Sequence, residues 1–281
     1  RAIIRSFKNY HLFGFTGTPI FAANASSGGN PLLRTTEQAF GGRLHSYTIV
    51  DAINDGNVLP FRIDFTDTIK KHKHIIDKKV YSIDREKALA DPRRISEIVS
   101  YVLEHFDQKT KRSSYYTFSA KWEEADKHNP KIMIEKRETR RVAGFNSIFA
   151  TASIPMAIMY YNEFKKQIAE QSRNLIIATI FSFSANDEET DGLLPEEDFS
   201  VDNLDHSTRD FLESAIRDYN ETFSTNFDTS SDKFQNYYKD LSLRVKNREI
   251  DILIVVNMFL TGFDATTLNT LWVDKNLRMH G

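Results

Sequence analysis

Residues 251–264 read DILIVVNMFLTGFD, an apolar run that leads directly into a polar loop. A continuous apolar run of this kind is typical of a parallel strand that is covered on both faces, so we predict a buried strand over residues 250–256. In the loop, the backbone at Gly262 can approach a phosphate, and Asp264 can accept a hydrogen bond from a ribose hydroxyl. On these residues alone, a loop that merely caps a helix is an equally good interpretation.

The second half of the chain alternates predicted strands with predicted helices. The clearest helix follows Asp91, which can cap it, with Pro92 at its first position. Such alternation predicts an α/β fold with a parallel sheet and right-handed crossovers, in which ligands bind beyond the carboxyl ends of the strands. The predicted strands cover residues 145–150, 175–181, 250–256 and 271–273, and the predicted helices lie at about residues 92–106, 153–168, 204–219 and 231–246.

The first half gives a less regular pattern. We predict a short buried strand over residues 11–15, a short helix over residues 47–53 and an alternating strand over residues 58–65. Residues 107–141 are highly polar, so we expect them to loop outward, with a further helix near residues 121–127 as the alternative.

Three charged segments stand out. The basic runs at residues 70–79 and 131–141 could follow DNA phosphates, although a solvated surface is the commoner role for such runs. His72 and His74 lack the carboxylates of a metal site, and we predict no metal there. Residues 186–200 carry seven carboxylates and are best interpreted as a solvated insertion that faces away from DNA.

Composition excludes several classes of protein. The formal net charge of −2 gives no overall positive field, so any DNA contact has to come from local patches. There is no cysteine, which excludes disulfides, thiolate zinc sites and cysteine nucleophiles. No apolar run approaches the roughly 20 residues that span a bilayer. The chain starts without Met and stops abruptly, so we expect an internal piece of a longer protein.

Two further polar motifs follow predicted strands. In Thr16-Gly17-Thr18-Pro19 the glycine permits a tight turn and the hydroxyls can bond to a neighbouring loop, or the segment is only a structural turn. In Thr151-Ala152-Ser153 the hydroxyls and free amides at a helix start suit a phosphate, but they also suit an ordinary cap. The placement of all three motifs at strand ends is the main indication of function from the residues alone.

Together, the order and spacing of these motifs resemble the later motifs of superfamily 2 helicases and DNA translocases. Residues 14–19 resemble motif III of the restriction-enzyme branch, residues 146–153 resemble motif IV, and residues 260–265 resemble motif V. Residues 58–61 are similar to the segment that crosses between two RecA-like domains. Phrases outside the motifs, such as residues 274–278, are similar to HsdR, the motor and nuclease subunit of type I restriction enzymes, here of the IC kind.

The resemblance implies a RecA-like fold of the P-loop NTPase type and a motor that uses ATP and Mg²⁺ to pull double-stranded DNA and then cuts it. It also implies a bacterial cytoplasmic protein that works with modification and specificity subunits and not with a membrane. The implied roles are coupling of nucleotide state to DNA contact for Thr16, Gly17 and Thr18, contact with a DNA phosphate for Thr151 and Ser153, and contact with the nucleotide for Gly262 and Asp264.

The resemblance further implies a division into domains. Residues 1–24 would end the first RecA-like motor domain, residues 25–90 would connect the domains and begin the second, and residues 91–281 would form most of the second. Polar insertions are expected near residues 107–141 and 186–200. The sequence departs from many relatives at Val256, where they have a phosphate-binding threonine, which argues against a DNA contact at that position.

Several parts of a complete motor are missing from the sequence. No G-x-x-x-x-G-K-[ST] motif, no Walker B acidic pair and no counterpart of the family's nuclease site occurs in the 281 residues. We therefore expect these residues alone neither to hydrolyse ATP nor to cleave DNA. The alternatives are another superfamily 2 motor, such as a repair helicase resembling UvrB, and a non-catalytic DNA- or protein-binding module.

Overall fold

The computed structural model describes residues 9, 11, 13–17, 19–22, 25, 34–68, 87–126, 133–181, 206–256, 258–260 and 263–275. The described residues up to Thr66 form one compact unit, and those from Asp67 onward form a second. Among the sequence predictions, those on Thr18, Gly262, the basic run at 70–79 and the acidic segment at 186–200 lie outside the described residues.

Helices and strands are concentrated in the second unit. In chain order they are α1 (Thr36–Phe40), α2 (Ile49–Asn54), α3 (Pro92–Lys109), β1 (Tyr115–Ala125), β2 (Met133–Ala143), β3 (Asn146–Thr151), α4 (Ile154–Glu170), β4 (Ile177–Phe181), α5 (His206–Phe223), α6 (Ser231–Lys246), β5 (Ile252–Val256) and β6 (Leu268–Asp274).

A four-stranded parallel sheet forms the centre of the second unit, in the order β4–β5–β3–β6. Every residue of β3 and of β5 is buried, because helices cover both faces of the sheet. The edge strand β6 instead alternates between half-buried and exposed residues. This architecture confirms the α/β, RecA-like fold class that the sequence predicted.

The helices on the sheet follow the predicted pattern closely. The Asp91 carboxylate accepts a hydrogen bond from the Arg93 amide at 2.8 Å, and Pro92 occupies the first turn of α3. The hydroxyl of Tyr237 on α6 donates to the Thr179 carbonyl on β4 at 2.8 Å, so the polar atom of this fully buried side chain has a hydrogen-bond partner. The largest fully buried side chains include Phe106, Phe149, Tyr160, Phe164, Phe181, Phe234 and Tyr237.

The prediction for residues 107–141 was wrong. Helix α3 continues to Lys109, and β1 and β2 then pair as an antiparallel hairpin in which Tyr115 lies opposite Ala143. The alternative helix near residues 121–127 was also wrong, since residues up to Ala125 belong to β1. The buried side chains of Phe118 and Ala120 alternate with exposed ones, which is the two-residue period of a strand rather than that of a helix.

The first unit corrects two further predictions. The described residues among 11–15 form no strand, and neither do residues 58–65. Both stretches are largely exposed, and Phe15 is 96% exposed. The described part of this unit contains no strand, so neither stretch has a neighbouring strand with which to form a ladder. The short helix predicted over residues 47–53 is confirmed as α2, which is capped by Thr48.

Candidate functional site

The carboxyl edge of the parallel sheet brings several strand ends into register. Thr151 at the end of β3 pairs with Val256 at the end of β5 and with Asp274 at the end of β6. Phe181 at the end of β4 pairs with Val256 as well. The loops that leave these residues therefore start side by side, where parallel sheets of this class bind ligands.

Thr151 and Ser153 differ in how accessible they are at this edge. Thr151 is fully buried, and its hydroxyl lies within hydrogen-bonding reach of the carbonyl oxygens of Ser153 at 3.3 Å and Val255 at 3.4 Å. Ser153 is half-buried, and its hydroxyl accepts from the Met156 amide at 3.5 Å, which is long for a cap bond. The hydroxyl of Ser153 is thus the more available of the two.

The start of α4 offers limited hydrogen-bonding capacity beyond that hydroxyl. Pro155 has no N–H, and the Met156 amide is already directed at Ser153. Within the described part of the chain the amide of Ile154 has no partner, and Ala152 before it is exposed. One hydroxyl and one amide at the positive end of a helix can together bind one anionic oxygen.

A buried ion pair supports this edge from behind. The Arg94 guanidinium, in a residue only 8% exposed, donates to both carboxylate oxygens of Asp274. The Tyr160 hydroxyl donates to the same carboxylate at 2.5 Å. Arg94 also donates to the Leu89 carbonyl at 3.0 Å and to the Thr68 hydroxyl at 3.2 Å. The pair thus joins α3, α4, β6 and the segment that precedes α3.

The environment of this pair favours the charged arginine and the neutral phenol. Burial disfavours the charged guanidinium, but the hydrogen bonds and the charge of Asp274 outweigh it, so the pKa of Arg94 is raised. Burial, together with the neighbouring Asp274 carboxylate, raises the pKa of Tyr160 far above its ordinary value. Arg94 therefore stays charged and Tyr160 stays protonated as a donor at any physiological pH.

Asp264 lies in the crossover between β5 and β6, eight residues beyond the end of β5 rather than immediately at it. Its side chain is exposed, and no hydrogen bond or ion pair joins it to another residue in the described ranges. Its neighbours are anchored: the Phe263 ring lies 5.1 Å from the Lys246 ammonium, and the Thr267 hydroxyl donates to the Val245 carbonyl at 3.1 Å. The Asp264 carboxylate therefore faces solvent, while the contacts of Phe263 and Thr267 fix the position of the backbone around it.

In the first unit, Thr16 and Gly17 are both exposed. A Cβ added at Gly17 would meet no atom within 4 Å, whereas one added at Gly14 would lie 2.7 Å from the Phe40 ring. In this unit the glycine required by packing is therefore Gly14, and Gly17 is under no such constraint.

The amino edge of the sheet contains a second buried cluster. The Asp251 carboxylate accepts from Arg248 at 2.7 Å, from Arg112, and from the Ile176 amide at 2.8 Å. Arg248 has a φ of 64°, in the left-handed region, and also donates to the Gly144 carbonyl at 2.9 Å. Gly144 itself has a φ of 66°, and a Cβ there would lie 2.8 Å from the Arg112 Cα. This cluster is part of the scaffold, since most of its polar atoms bond one another; the exception is the buried Nη2 of Arg248, which has no hydrogen-bond partner among the described residues.

Two negative findings bear on the site. No group of three or more histidine, aspartate or glutamate side chains in the described ranges is arranged to hold a metal ion. Among the described residues, no helix combines the length and the apolar character that a membrane crossing requires.

Sequence reasoning missed the roles of Arg94 and Tyr160. Their common partner Asp274 is far away in the chain, 180 residues from Arg94 and 114 residues from Tyr160. An arginine next to the apolar stripe of α3 is the one local signal of a buried partner, because a charge is rarely buried unless it is paired.

Comparison with known families connects this geometry to a class of protein. A family profile described as type I restriction enzyme subunit R domain 3 matches residues 143–281, and a profile described as SWI2/SNF2 ATPase matches residues 1–93. A Mycoplasma pneumoniae protein described as the middle part of a type I restriction enzyme endonuclease subunit is 32% identical over 134 residues, which cover 47% of this chain and 89% of that protein.

The chain belongs to the family of type I restriction enzyme endonuclease (R) subunits. An endonuclease subunit of a Staphylococcus aureus type I restriction enzyme is 38% identical over 284 aligned residues, which cover 100% of this chain and 26% of the relative. A subunit from Staphylococcus saprophyticus gives the same identity and the same coverage. The chain therefore spans about a quarter of the length of these R subunits.

Proposed function

We propose that this chain is the end of the first and most of the second RecA-like motor domain of an R subunit of the IC kind. In that subunit it serves an ATP-dependent motor that pumps double-stranded DNA and cleaves it at distant sites, in complex with modification and specificity subunits in the bacterial cytoplasm. Residues 1–24 end the first domain, residues 25–90 connect the two domains and begin the second, and residues 91–281 form most of the second.

The observation that carries the proposal is the register of Thr151 with Asp274 at the carboxyl edge. It sets the Ser153 hydroxyl and the Ile154 amide at the start of α4, on a backbone supported by the buried Arg94–Asp274 pair. Two hydrogen-bond donors on a fixed backbone can bind one DNA phosphate in the same geometry at every step of a motor.

Individual residues have distinct roles in this proposal. Ser153 contacts a DNA phosphate directly. The resemblance implied a phosphate contact for Thr151 as well, but its hydroxyl is fully buried and directed at the carbonyls of Ser153 and Val255. Thr151 therefore acts through Ser153 in this proposal, by fixing the loop. Thr16, Gly17 and Thr18 couple the nucleotide state to DNA contact.

The nucleotide is held partly by this chain and partly by residues outside it. The exposed Asp264 carboxylate fits a ribose hydroxyl, since it is an acceptor with no partner in the described ranges, and Gly262 lets the backbone approach a phosphate. Hydrolysis of bound ATP would supply the energy of translocation, and Mg²⁺ would neutralise the charge of its phosphates. The residues that cradle the triphosphate and hold Mg²⁺ have no counterpart in these 281 residues.

Comparing the isolated chain with the full-length R subunit tests the proposal. Both are assayed for ATP hydrolysis with and without double-stranded DNA, and the intact mass of each sample is verified. We expect turnover stimulated by DNA from the full-length subunit in its complex and none from the 32.5 kDa chain. Turnover by the verified 281-residue chain would contradict the division of the site, and a full-length subunit without DNA-stimulated turnover would contradict the motor function.

A non-catalytic binding module is the rival from a different class. It predicts that Asp264→Ala in the full-length subunit leaves ATP hydrolysis and translocation intact. Loss of either activity in a folded variant excludes that rival.

A further inference from the structure

One face of the β1–β2 hairpin is exposed and basic, and the motifs at the carboxyl edge do not account for it. In the antiparallel register, residues directly opposite each other share a face. The surface, here called the ribbon face, consists of Tyr115, Thr117, Ser119 and Lys121 on β1 and of Arg137, Thr139 and Arg141 on β2. All seven side chains of this set are exposed.

On β1, the opposite face of the hairpin packs against the protein interior. Phe118 and Ala120 are buried, and the Tyr116 ring stacks on Phe145 with centroids 4.2 Å apart. Trp122 is half-buried and lies under the Arg140 guanidinium at 5.6 Å. Since this face cannot turn outward without losing its packing, the ribbon face has a fixed orientation.

A backbone clamp reinforces that orientation. The Asn247 side chain at the end of α6 accepts from the Lys121 amide at 2.9 Å and donates to the Lys121 carbonyl at 2.6 Å. Both backbone groups of Lys121 are therefore held, while its ammonium group remains on the exposed side. The hairpin is thus presented from the protein as a rigid two-stranded ribbon.

Two of the positive charges on the ribbon face repel each other. Lys121 lies directly opposite Arg137, and like charges opposite each other destabilise a strand pair. Glu135, one position further along the face, relieves this in part by accepting from Arg137 at 2.5 Å. The set carries three cations and four hydroxyls, and the same face continues to the exposed Glu123 and Glu135, which lie opposite each other. With three cations and two carboxylates this face is net positive, in a chain whose net charge is −2.

This inventory matches the groups that contact nucleic-acid backbones. Most protein–DNA hydrogen bonds to phosphate come from Arg, Lys, Ser, Thr and Tyr side chains and from backbone amides. Arg137 and Arg141 are four residues apart on β2, about 14 Å at about 3.4 Å per residue. The cations therefore span about four base pairs at about 3.4 Å per base pair.

We infer that the ribbon face is a second contact surface for the phosphate backbone of double-stranded DNA, independent of base sequence. The inference rests on the proposed function of the chain as part of a DNA motor. The hairpin joins β3 at the amino edge of the sheet, three residues after Ala143, so this surface is separate from the Ser153 edge. It gives the second motor domain a grip on DNA that does not depend on the nucleotide.

The test measures binding of the full-length R subunit to non-specific duplex DNA without ATP, over a series of salt concentrations. The variants are Lys121→Gln, Arg137→Gln and Arg141→Gln, singly and combined. Lys136→Gln is the matched control, because Lys136 is exposed, next to Arg137, and on the opposite face of the same strand. Thermal unfolding confirms that each variant is folded.

Each lost phosphate contact reduces the slope of log K against log salt by about 0.9, so the triple variant should lose about 2.7 and the control nothing. Equal slopes for the triple variant and the control overturn the inference. A variant that binds DNA normally but no longer assembles with the other subunits also overturns it, in favour of a protein partner. If the wild-type subunit binds DNA with the expected salt dependence but hydrolyses no ATP, the proposed function is contradicted. The inference that the ribbon face binds DNA is then unaffected.

Discussion

The two edges of the parallel sheet use their polar groups in opposite ways. At the amino edge, Asp251 binds Arg112, Arg248 and a backbone amide, and these groups are mostly buried. At the carboxyl edge, the Arg94–Asp274 pair is also buried, but the loop in front of it leaves Ala152 exposed and the Ser153 hydroxyl weakly engaged. The polar groups of the amino edge bind mainly one another. The carboxyl edge has a buried ion pair and, next to it, polar groups that remain accessible.

The comparison distinguishes ion pairs that only stabilise the fold from an ion pair that lies beside polar groups able to bind a ligand. A buried ion pair is a poor indicator of function on its own, because it satisfies itself. The informative feature is a buried pair next to polar groups that remain available. Substitutions at the two edges should therefore have different consequences for stability.

The largest loss of stability is expected for Asp251→Ala. The change leaves two arginines and the Ile176 amide without their acceptor, and removing one partner of a buried ion pair costs about 3–5 kcal/mol. Urea unfolding followed by the fluorescence of Trp122 and Trp272 measures it. Asp210→Ala, at an exposed position on α5, should change stability by less than about 0.5 kcal/mol. Equal effects of the two changes would contradict an amino edge whose polar groups bind mainly one another.

The next effect concerns the pair behind the carboxyl edge. Arg94→Met, Asp274→Leu and the double variant form a cycle whose coupling energy we expect at about 1–3 kcal/mol, because both groups are largely buried and bonded through two contacts. The same unfolding assay gives the three values. A coupling energy near zero would mean that the pair does not support the edge.

A smaller effect is expected for Ser153→Ala. Loss of a capping hydroxyl typically costs about 1 kcal/mol, and the long 3.5 Å bond places this cap at the weak end of that range. In the full-length subunit the same variant should nevertheless weaken DNA stimulation of ATP hydrolysis. A control is Ser230→Ala at the start of α6, where the side chain makes no cap bond. If both variants impair stimulation equally, Ser153 has no special role.

The elements that sequence reasoning predicted correctly are those with a strong local pattern. The apolar runs of β3, β4 and β5 and the cap of α3 at Asp91 belong to this group. The hairpin was missed because its apolar period of two is embedded among charged residues and depends on a distant partner strand. The strand predicted over residues 58–65 failed for the converse reason, since the pattern is strand-like but the described residues of this unit contain no strand to pair with.

The site was predictable to a similar extent. Ser153 and Asp264 follow strands and could be found from their position in the sequence. The burial of Thr151 and the support of Asp274 by Arg94 could not, because both depend on how segments far apart in the chain meet at the sheet edge. Local pattern thus finds the groups that face a ligand more easily than the groups that hold them in place.

The assignment of Asp264 to the nucleotide is tested by the KM for ATP of the full-length R subunit carrying Asp264→Asn, measured during DNA-stimulated hydrolysis beside Asp210→Asn. Both aspartates are exposed, so neither change should affect stability. Weakening a charge-assisted hydrogen bond to the ribose should raise the KM about tenfold, the equivalent of about 1.4 kcal/mol, for Asp264→Asn alone. An unchanged KM in a folded Asp264→Asn variant would contradict the assignment of this crossover to the nucleotide.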